Sequence, residues 1–517
     1  TETGGSDTAT PTSEKYGGRL VAGWNTGEIQ NLSPTWITIG INAQIMANAF
    51  NALVQTTPKL EIVPDLAKDW TVEDKTTFVF NLREGVKFHN GTEFTAQDVY
   101  YTIEQIFKQN SPVKPKMAPL KQYDQGGVRV IDDYTVELNF DKPYGPALPV
   151  LARGDGRGST IINKQAVEKM GWKQYKVKPV GTGPFKIVEH NVGSKVTLDK
   201  FDDYFQGYWA EQEGAELPYL DGIDIKPLPK ASTRVNAIKG GDLDFLNLVP
   251  VQNLQSLQKN ENVSIKSGPG GGYTGLVLNG DKDKFTDPKV RLGIAKLVDQ
   301  KSFVKQAFFG KQHVAEGPIA PAHGWAFRED KPDFQAYNPE KGKQMLKEAG
   351  MWPMSFSIMA SPSNIRQARV MRQLLIDDGL EVEVEQVPSA SYDKRLRNWD
   401  YETAISGNAV DLDPDAALYL FFLPRDMGGS INFWGYKPLK NGIKAAEKLP
   451  ELLQKQRETV DRDKRRQIFH KIEDILIKDA GFAFTHHYKP WVAYTSNVKG
   501  YKPHPINRDF HTVWLDQ

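Results

Sequence analysis

The sequence predicts a mixed α/β or α+β fold with more than one sheet. Segments that alternate apolar and polar residues, as strands do, are interspersed irregularly with segments whose apolar residues recur at helical spacing. The chain has 517 residues, of which 39% are hydrophobic and 25% are charged, so it is long and apolar enough to bury a sizeable core. We find no repeat at a fixed period, which argues against a solenoid or a propeller.

The chain is expected to fold from about residue 20 onwards. Residues 1–18 contain five Thr, four Gly and two Ser but no Leu, Ile or Val, a composition typical of a flexible tether. Because the first residue is Thr rather than Met, we expect that a preceding segment has been removed. The tether is either an ordinary disordered terminus or the link to a membrane anchor.

The predicted strands are short segments rich in β-branched and aromatic residues, most of them with alternating polarity. They cover residues 19–24, 77–82, 134–140, 185–188, 196–198, 273–279 and 381–387. The glycine run at 268–272 is the best candidate for a hinge or a crossing between domains.

Three helices have recognisable ends. Thr95 and Asp98 form a variant of the capping box at the start of the first. The second begins at Asn338, with proline at its first helical position, and ends near Gly350. The third covers 461–479, and Gly481 is the residue expected to terminate it.

Composition excludes several function classes. Lys and Arg number 65 against 64 Asp and Glu, so net charge gives no argument for nucleic acid or an anionic membrane as the main partner. The chain has no cysteine, which excludes a disulfide scaffold, thiol catalysis and thiolate metal sites. No segment reaches the roughly 20 mostly apolar residues that a membrane-spanning helix requires.

Motifs for cofactor binding and catalysis are weak or absent. Gly270, Gly272 and Gly275 satisfy GxGxxG, but a strand follows them where the dinucleotide motif requires a helix. There is no P-loop, HExxH or GxSxG motif. His486 and His487 are the only close pair of histidines. Adjacent residues in a strand would point to opposite faces, so the pair is interpreted as structural.

Asp411, Asp413 and Asp415 form the densest acidic cluster outside the predicted helices. Such carboxylates serve glycoside hydrolysis, contact a ligand or cation, or cap a following helix. Helix capping and turn formation are the preferred interpretation at this point.

Several segments, in order along the chain, resemble signatures of one family. They are 66–99 (LAKDWTVEDKTTFVFNLREGVKFHNGTEFTAQDV), 179–185 (PVGTGPF), 202–207 (DDYFQG), 234–244 (RVNAIKGGDLD), 285–299 (FTDPKVRLGIAKLVD), 337–350 (YNPEKGKQMLKEAG) and 400–415. Together they resemble the family 5 extracellular solute-binding proteins of ABC transporters, the dipeptide/oligopeptide-binding type. The resemblance covers residues 16–517.

The resemblance implies a two-lobed periplasmic-binding-protein fold of type II (cluster C) with ligand enclosed between the lobes. It places a tether at 1–16, the core of the first lobe at 17–42, 183–267 and 486–517, an extra subdomain at 43–182, and the second lobe at 268–485. Ligand contacts made only in the closed form would shift an open–closed equilibrium.

The resemblance also implies a role and a location. The closed form would deliver its solute to the transmembrane subunits of an ABC permease. The protein would be a monomer without a cofactor or enzymatic activity, periplasmic or extracytoplasmic. A lipid on a cysteine preceding Thr1 would tether it to the membrane.

In peptide-binding members, an aspartate that matches Asp411 pairs with the peptide α-ammonium group. Asn408 stands where the family usually has Trp, and the spacing from Asp411 to Asp413 is one residue short. Some members also hold the ligand carboxylate with an arginine just before the helix that corresponds to 365–375, and this chain has none there. These departures weaken the dipeptide assignment.

Further candidate ligand residues follow from position and chemistry. Trp24 and Asn25 end the first predicted strand, and Tyr273 lies at the lobe crossing. Arg153 and Arg157 supply two guanidinium groups in a glycine-rich loop, and Phe433 and Trp434 form an aromatic pair. With the polar residues above, the set is Trp24, Asn25, Arg153, Arg157, Tyr273, Asn408, Asp411, Asp413, Phe433 and Trp434.

The nature of the ligand stays open at this point. A peptide is the family default. An oligosaccharide suits Trp next to Asn and Asp, and an opine- or amino-acid-like anion suits the two arginines. Nickel or haem carriage occurs in the family, although no His or Met constellation supports it. A secreted hydrolase that uses Asp411 and Asp413, and a chaperone-like or signalling receptor, are the rivals from other classes.

Overall fold

The computed structural model describes residues 12–33, 40–109, 111, 114–117, 119–153, 160–409, 411–429, 432–435 and 437–516. The chain divides into two units. Unit 1 comprises Thr1–Asp141, Leu148–Ser267 and Trp491–Gln517, and unit 2 comprises Lys142–Ala147 and Gly268–Pro490. One passage between the units therefore lies at the start of the glycine run that predicted a crossing. The division of unit 1 into a core and an extra subdomain stays a prediction.

The strands are β1 (Arg19–Trp24), β2 (Val54–Thr56), β3 (Ile62–Pro64), β4 (Ala67–Glu73), β5 (Thr77–Leu82), β6 (Val128–Asp132), β7 (Thr135–Asn139), β8 (Ala152–Arg153), β9 (Phe185–Asn191), β10 (Lys195–Lys200), β11 (Gly222–Pro227), β12 (Phe245–Leu246), β13 (Val263–Ser267), β14 (Gly271–Leu278), β15 (His313–Val314), β16 (Ser355–Ala360), β17 (Glu381–Gln386), β18 (Thr403–Asn408), β19 (Phe482–Tyr488), β20 (Trp491–Thr495), β21 (Val498–Lys499) and β22 (Trp514–Leu515).

The α-helices are α1 (Gly40–Met46), α2 (Ala96–Lys108), α3 (Ala147–Leu151), α4 (Lys164–Tyr175), α5 (Tyr208–Glu213), α6 (Ala231–Gly240), α7 (Leu254–Gln258), α8 (Pro288–Ala295), α9 (Gln300–Phe308), α10 (Pro339–Glu348), α11 (Ile365–Asp377), α12 (Ser389–Arg397), α13 (Pro414–Phe422), α14 (Pro438–Asn441), α15 (Leu449–Arg457) and α16 (Arg462–Asp479). No helix in the described part of the chain is both long enough and apolar enough to span a membrane.

Unit 1 is organised around a seven-stranded sheet with the order β13-β20-β12-β1-β11-β10-β9. The central strand β1 runs parallel to both β11 and β12, whereas β9, β10, β13 and β20 pair antiparallel. A four-stranded antiparallel sheet, β4-β5-β7-β6, and a three-stranded sheet, β3-β2-β8, belong to the same unit. The carboxyl ends of parallel strands are common ligand-binding edges, so the end of β1 is a candidate for such an edge.

Unit 2 contains a six-stranded sheet with the order β15-β19-β14-β18-β16-β17. Its first four strands pair antiparallel, and β16 runs parallel to β17 and β18. Its core is rich in aromatic side chains from β14, β19 and α13. Gly275 in β14 is required by packing, because a Cβ there would lie 2.0 Å from the carbonyl oxygen of Ala483 in β19.

The predicted strands are all present, with ends shifted by a few residues at most. The start of α2 is confirmed, because the backbone N–H of Thr95 donates to Asp98 Oδ2 at 3.1 Å. The start of α10 is confirmed as well, since Asn338 Oδ1 accepts the N–H of Lys341 at 3.0 Å. These ends were predictable because capping depends on residues only three positions apart.

The end of α16 differs from the prediction. Ala480, not Gly481, adopts the left-handed conformation, with φ 52°, and its N–H bonds to the carbonyl of Leu476. This conformation costs a non-glycine residue roughly 1–2 kcal/mol. The Ala480 methyl group is fully buried, and the burial of such a group, worth about 0.8 kcal/mol, offsets part of the cost.

Candidate functional site

The segment between β18 and α13 carries three of the predicted ligand residues. Asn408 is the last residue of β18, where it pairs with Tyr273, and Pro414 is the first residue of α13. Asp413 caps this helix, because its Oδ1 accepts the N–H of Asp415 at 2.9 Å. The capping interpretation of the acidic cluster is therefore confirmed at Asp413.

Asp413 is also one half of a buried ion pair. Arg465 of α16 donates to its two carboxylate oxygens at 2.6 and 2.7 Å, and both side chains are less than 10% exposed. Gln456 Oε1 accepts a further bond from the same guanidinium at 3.0 Å. A bidentate pair of this kind fixes geometry as well as charge. The Asp413 carboxylate is thus engaged within unit 2.

Asp415 belongs to a second buried pair. Arg457 Nε lies 3.3 Å from Asp415 Oδ2, and another nitrogen of the same guanidinium donates to Tyr144 Oη at 3.1 Å. Burial raises the pKa of Asp415, while the charges of Arg457 and Arg465 act in the opposite direction. Two carboxylates and two guanidinium groups therefore balance one another beneath the segment, which avoids an uncompensated buried charge.

Asp411 is the only one of the three aspartates that is partly exposed. Its carbonyl oxygen accepts a hydrogen bond from Nε2 of the buried His323 at 2.8 Å. Its Oδ1 accepts the N–H of Leu412 at 3.3 Å. Burial lowers the pKa of His323, so this imidazole is neutral near pH 7. Asp411 is therefore a partly exposed residue whose backbone carbonyl is fixed by a buried side chain.

The predicted aromatic residues of unit 2 differ in their exposure. Tyr273 and Trp434 are fully buried, and each donates to a carbonyl of α13, Tyr273 Oη to Ala417 at 3.1 Å and Trp434 Nε1 to Phe421 at 3.0 Å. They support α13, the helix that follows the acidic segment (residues 411–413). Phe433 is half-buried, and the Arg397 guanidinium lies 5.1 Å from its ring centre. Of the three, Phe433 is the one that reaches the surface.

In unit 1, Trp24 and Asn25 stand at the carboxyl end of β1. Trp24 is fully buried and packs edge-on against Phe510, with 6.4 Å between the ring centres. Asn25 is exposed. Asn247, at the end of the neighbouring β12, accepts a bond from Arg508 Nε at 2.9 Å. A polar edge is therefore present at the end of these parallel strands.

Arg153 is buried in unit 1 rather than exposed. Its guanidinium donates to Asp509 Oδ1 at 3.0 Å and to Gln55 Oε1 at 2.8 Å, and Asp65 lies 3.7 Å away. The two carboxylates already neutralise its charge, so an anionic ligand would have to compete with them. Arg157 lies outside the described residues.

Sequence reasoning missed the residues that hold the acidic segment, chiefly Arg465 and His323. A signal for Arg465 existed, because it lies on the buried face of α16 at helical spacing from Ile468, Phe469 and Ile472. A charged residue on an apolar stripe requires a partner. No local pattern distinguishes His323, since its partner is 88 positions away.

The histidines of β19 are structural, as the sequence indicated. His486 packs against Phe308, with ring centres 4.4 Å apart, while His487 bonds through Nδ1 to the carbonyl of Gly272 at 2.6 Å. Burial lowers the pKa of each to about 3. Among the residues that the structure describes, no group of three or more His, Asp or Glu could hold a metal ion.

Comparison with known proteins gives a consistent result. The model of the bacterial extracellular solute-binding proteins, family 5 Middle, matches residues 61–429. The oligopeptide-binding protein AppA of Bacillus subtilis is 27% identical over 97% of this chain and 92% of its own, and the dipeptide-binding protein of Escherichia coli is 25% identical over 87% and 85%. The periplasmic binding protein DppA of Helicobacter pylori, solved with the peptide STSA, superposes with a TM-score of 0.81 and is 26% identical. The match covers 98% of this chain and 99% of the DppA chain.

Proposed function

This chain belongs to family 5 of the bacterial extracellular solute-binding proteins, the solute-capturing components of ABC importers, and we propose that its solute is a peptide. The observation that carries the proposal is the match, over nearly the whole of both chains, to a structure with a bound peptide. Two relatives that cover most of this chain also have peptide-binding names. A membrane permease is the partner that would receive the peptide.

Asp411 is the residue to which we assign recognition of the peptide amino terminus. The residue is partly exposed, and the segment that carries it is anchored by buried contacts at residue 411 itself and at residue 413. An ammonium–carboxylate contact is a charge-assisted hydrogen bond, worth about 1.5–3 kcal/mol. Asn408 would add amide donors and acceptors, and Phe433 would offer an aromatic surface.

The test is a titration of the purified protein with the tetrapeptide Ser-Thr-Ser-Ala and with a mixed tetrapeptide pool. A bound peptide at 100 times its dissociation constant should stabilise the fold by about 2.7 kcal/mol in a thermal-shift assay. Calorimetry then gives the affinity. If neither peptide sample binds at millimolar concentration, the peptide assignment is wrong.

Asp411→Asn should weaken binding of a free-amine peptide by about 10- to 100-fold, because it removes the charge and keeps the size of the side chain. The matched control is Asp426→Asn, which neutralises an exposed carboxylate of the same unit and should leave the affinity unchanged. Equal affinities for the two variants would contradict the role assigned to Asp411.

An oligosaccharide or an opine is the second candidate, and Asn408 is the observation that favours it. Its amide group replaces the aromatic residue usual in the family at this position, and amides pair well with hydroxyl and carboxylate groups. Competition calorimetry with an oligosaccharide and an opine alongside the peptide pool separates these ligand classes.

We propose no catalytic role for the acidic segment. Asp413 is committed to Arg465 and to the cap of α13, so it is not available as the second carboxylate that acid–base chemistry by the pair Asp411/Asp413 would need. Incubation with peptide or oligosaccharide should therefore return the ligand intact, as checked by mass spectrometry. Cleaved products would contradict this.

We propose a monomer outside the cytoplasm, tethered by an N-terminal lipid, whose lobes close when the solute binds. Such closure would reduce the radius of gyration in small-angle X-ray scattering when the peptide is added. An unchanged value at saturation would contradict closure.

A further inference from the structure

We propose that His323 and Arg465 are positioning residues that hold the Asp411 segment in the geometry needed to bind a peptide ammonium group. This inference rests on the proposed function and deepens it. It assigns a role in ligand recognition to two buried side chains that would not touch the ligand themselves.

The anchor on the carboxyl side of Asp411 is Arg465. Its fork binds both oxygens of Asp413, while its Nε donates to the carbonyl oxygen of Gln456 at 3.1 Å. The guanidinium is therefore fixed by α15 as well as by its own helix. A lysine could supply the charge at this place but not the two parallel hydrogen bonds.

The second anchor is His323, which bonds to the backbone of Asp411 itself. Since a carbonyl oxygen only accepts, Nε2 must carry the proton, and Nδ1 is then a buried nitrogen without a hydrogen-bond partner. The backbone next to His323 is itself held in place, because the N–H of Ala322 donates to the carbonyl of Gly270 at 3.0 Å. A buried polar atom left unsatisfied is costly, and this cost accompanies the placement of the imidazole against the Asp411 carbonyl.

The two anchors act at the residue assigned to the ligand and two positions after it. One holds the carbonyl of residue 411 and the other holds the side chain of residue 413, so the backbone between them has little freedom. A carboxylate on a restrained segment loses less conformational entropy when it forms an ion pair, which raises affinity without an additional contact. Loosening either anchor should therefore weaken recognition of the ammonium group in particular.

The test compares His323→Leu, which removes the donor, with His323→Gln, whose side-chain amide can donate from the place of Nε2. Each is titrated with Ser-Thr-Ser-Ala and with the same peptide acetylated at its amino terminus. We expect His323→Leu to weaken binding of the free-amine peptide about 5- to 20-fold, which is the range of one neutral hydrogen bond. Binding of the acetylated peptide should weaken less than about 2-fold. His323→Gln should restore most of the loss.

Arg465 is tested with Arg465→Lys and, in case that variant does not fold, with the double variant Arg465→Gln/Asp413→Asn, which leaves no uncompensated buried charge and keeps an oxygen for the helix cap. Both should reduce the preference for the free amine in the same way. In an Asp411→Asn background, none of these changes should reduce affinity further, because coupled residues give non-additive effects in a double-mutant cycle.

Three results would overturn the inference while leaving the proposed function intact. They are equal losses for the free and acetylated peptides, full additivity with Asp411→Asn, and unchanged affinity in His323→Leu. If the unmodified protein binds neither peptide, the peptide assignment fails and the inference fails with it. The unmodified protein is titrated first, so the two failures are distinguishable.

Discussion

At the residue scale, the three aspartates after β18 show how burial assigns different tasks to one residue type. Asp413 and Asp415 are buried against arginines, and Asp411 is partly exposed. Removal of one partner of a buried ion pair leaves an uncompensated charge and typically costs 3–5 kcal/mol. The first two aspartates are therefore expected to be important for stability and the third for binding.

A buried histidine of unit 1 makes stability depend on pH. His504 Nδ1 accepts the N–H groups of both Ile506 and Asn507 at 3.0 Å, so protonation of that nitrogen breaks two bonds. Burial, with the nearby charges of Arg153 and Arg508, lowers the pKa of His504 to about 3. Between about pH 6.5 and 3 the unfolded chain binds a proton that the folded chain does not, so the free energy of unfolding falls as the pH falls.

His504→Asn should reduce this pH dependence, because the asparagine oxygen can accept the same two N–H groups and does not titrate. Relative to the variant, the unmodified protein should lose up to about 1.4 kcal/mol per pH unit between pH 6 and pH 4. Urea unfolding of both proteins at a series of pH values measures the difference. Parallel curves would contradict the assignment.

At the scale of elements, two helices end on a non-glycine residue in the left-handed conformation although glycine follows directly. Phe309 ends α9 with φ 54°, and Ala480 ends α16 with φ 52°. The rule that glycine occupies this position would shift both ends by one residue. Ala480 is buried, whereas Phe309 is 51% exposed, so burial of the side chain explains only the first case.

The strain at Phe309 can be measured with a matched pair of variants. Phe309→Gly and Phe309→Ala both remove the ring and its contact with Arg366, 4.5 Å away, and they differ in the cost of the left-handed conformation. The glycine variant should be more stable by about 1 kcal/mol. Equal midpoints in urea unfolding would show that the backbone relaxes at this position.

The sequence was sufficient for elements whose signals are local. β5 and β17 follow from alternation, and the starts of α2 and α10 follow from capping residues three positions apart. The anchors of the candidate site were not predictable in this way. Asp413 and its partner on α16 are 52 positions apart, and only the tertiary fold brings such residues together.

At the scale of the whole molecule, unit 1 is assembled from three separate stretches of chain, and unit 2 from two. Composition and periodicity could not predict such an arrangement. The family signatures identified the family because they occur in a fixed order along much of the chain. The family match over residues 61–429 confirmed this identification. The identity of the solute depends on a few side chains, and several predicted ones, including Tyr273 and Trp434, are committed to the core.

Native mass spectrometry of the intact protein, as purified and after addition of a mixed peptide pool, tests the central claim most directly. We expect a one-to-one adduct with the mass of a peptide, present in the folded protein and released when it unfolds. An adduct with the mass of an oligosaccharide or an opine that persists in the presence of excess peptide would contradict this expectation. The absence of a peptide adduct both as purified and after the addition would contradict it as well.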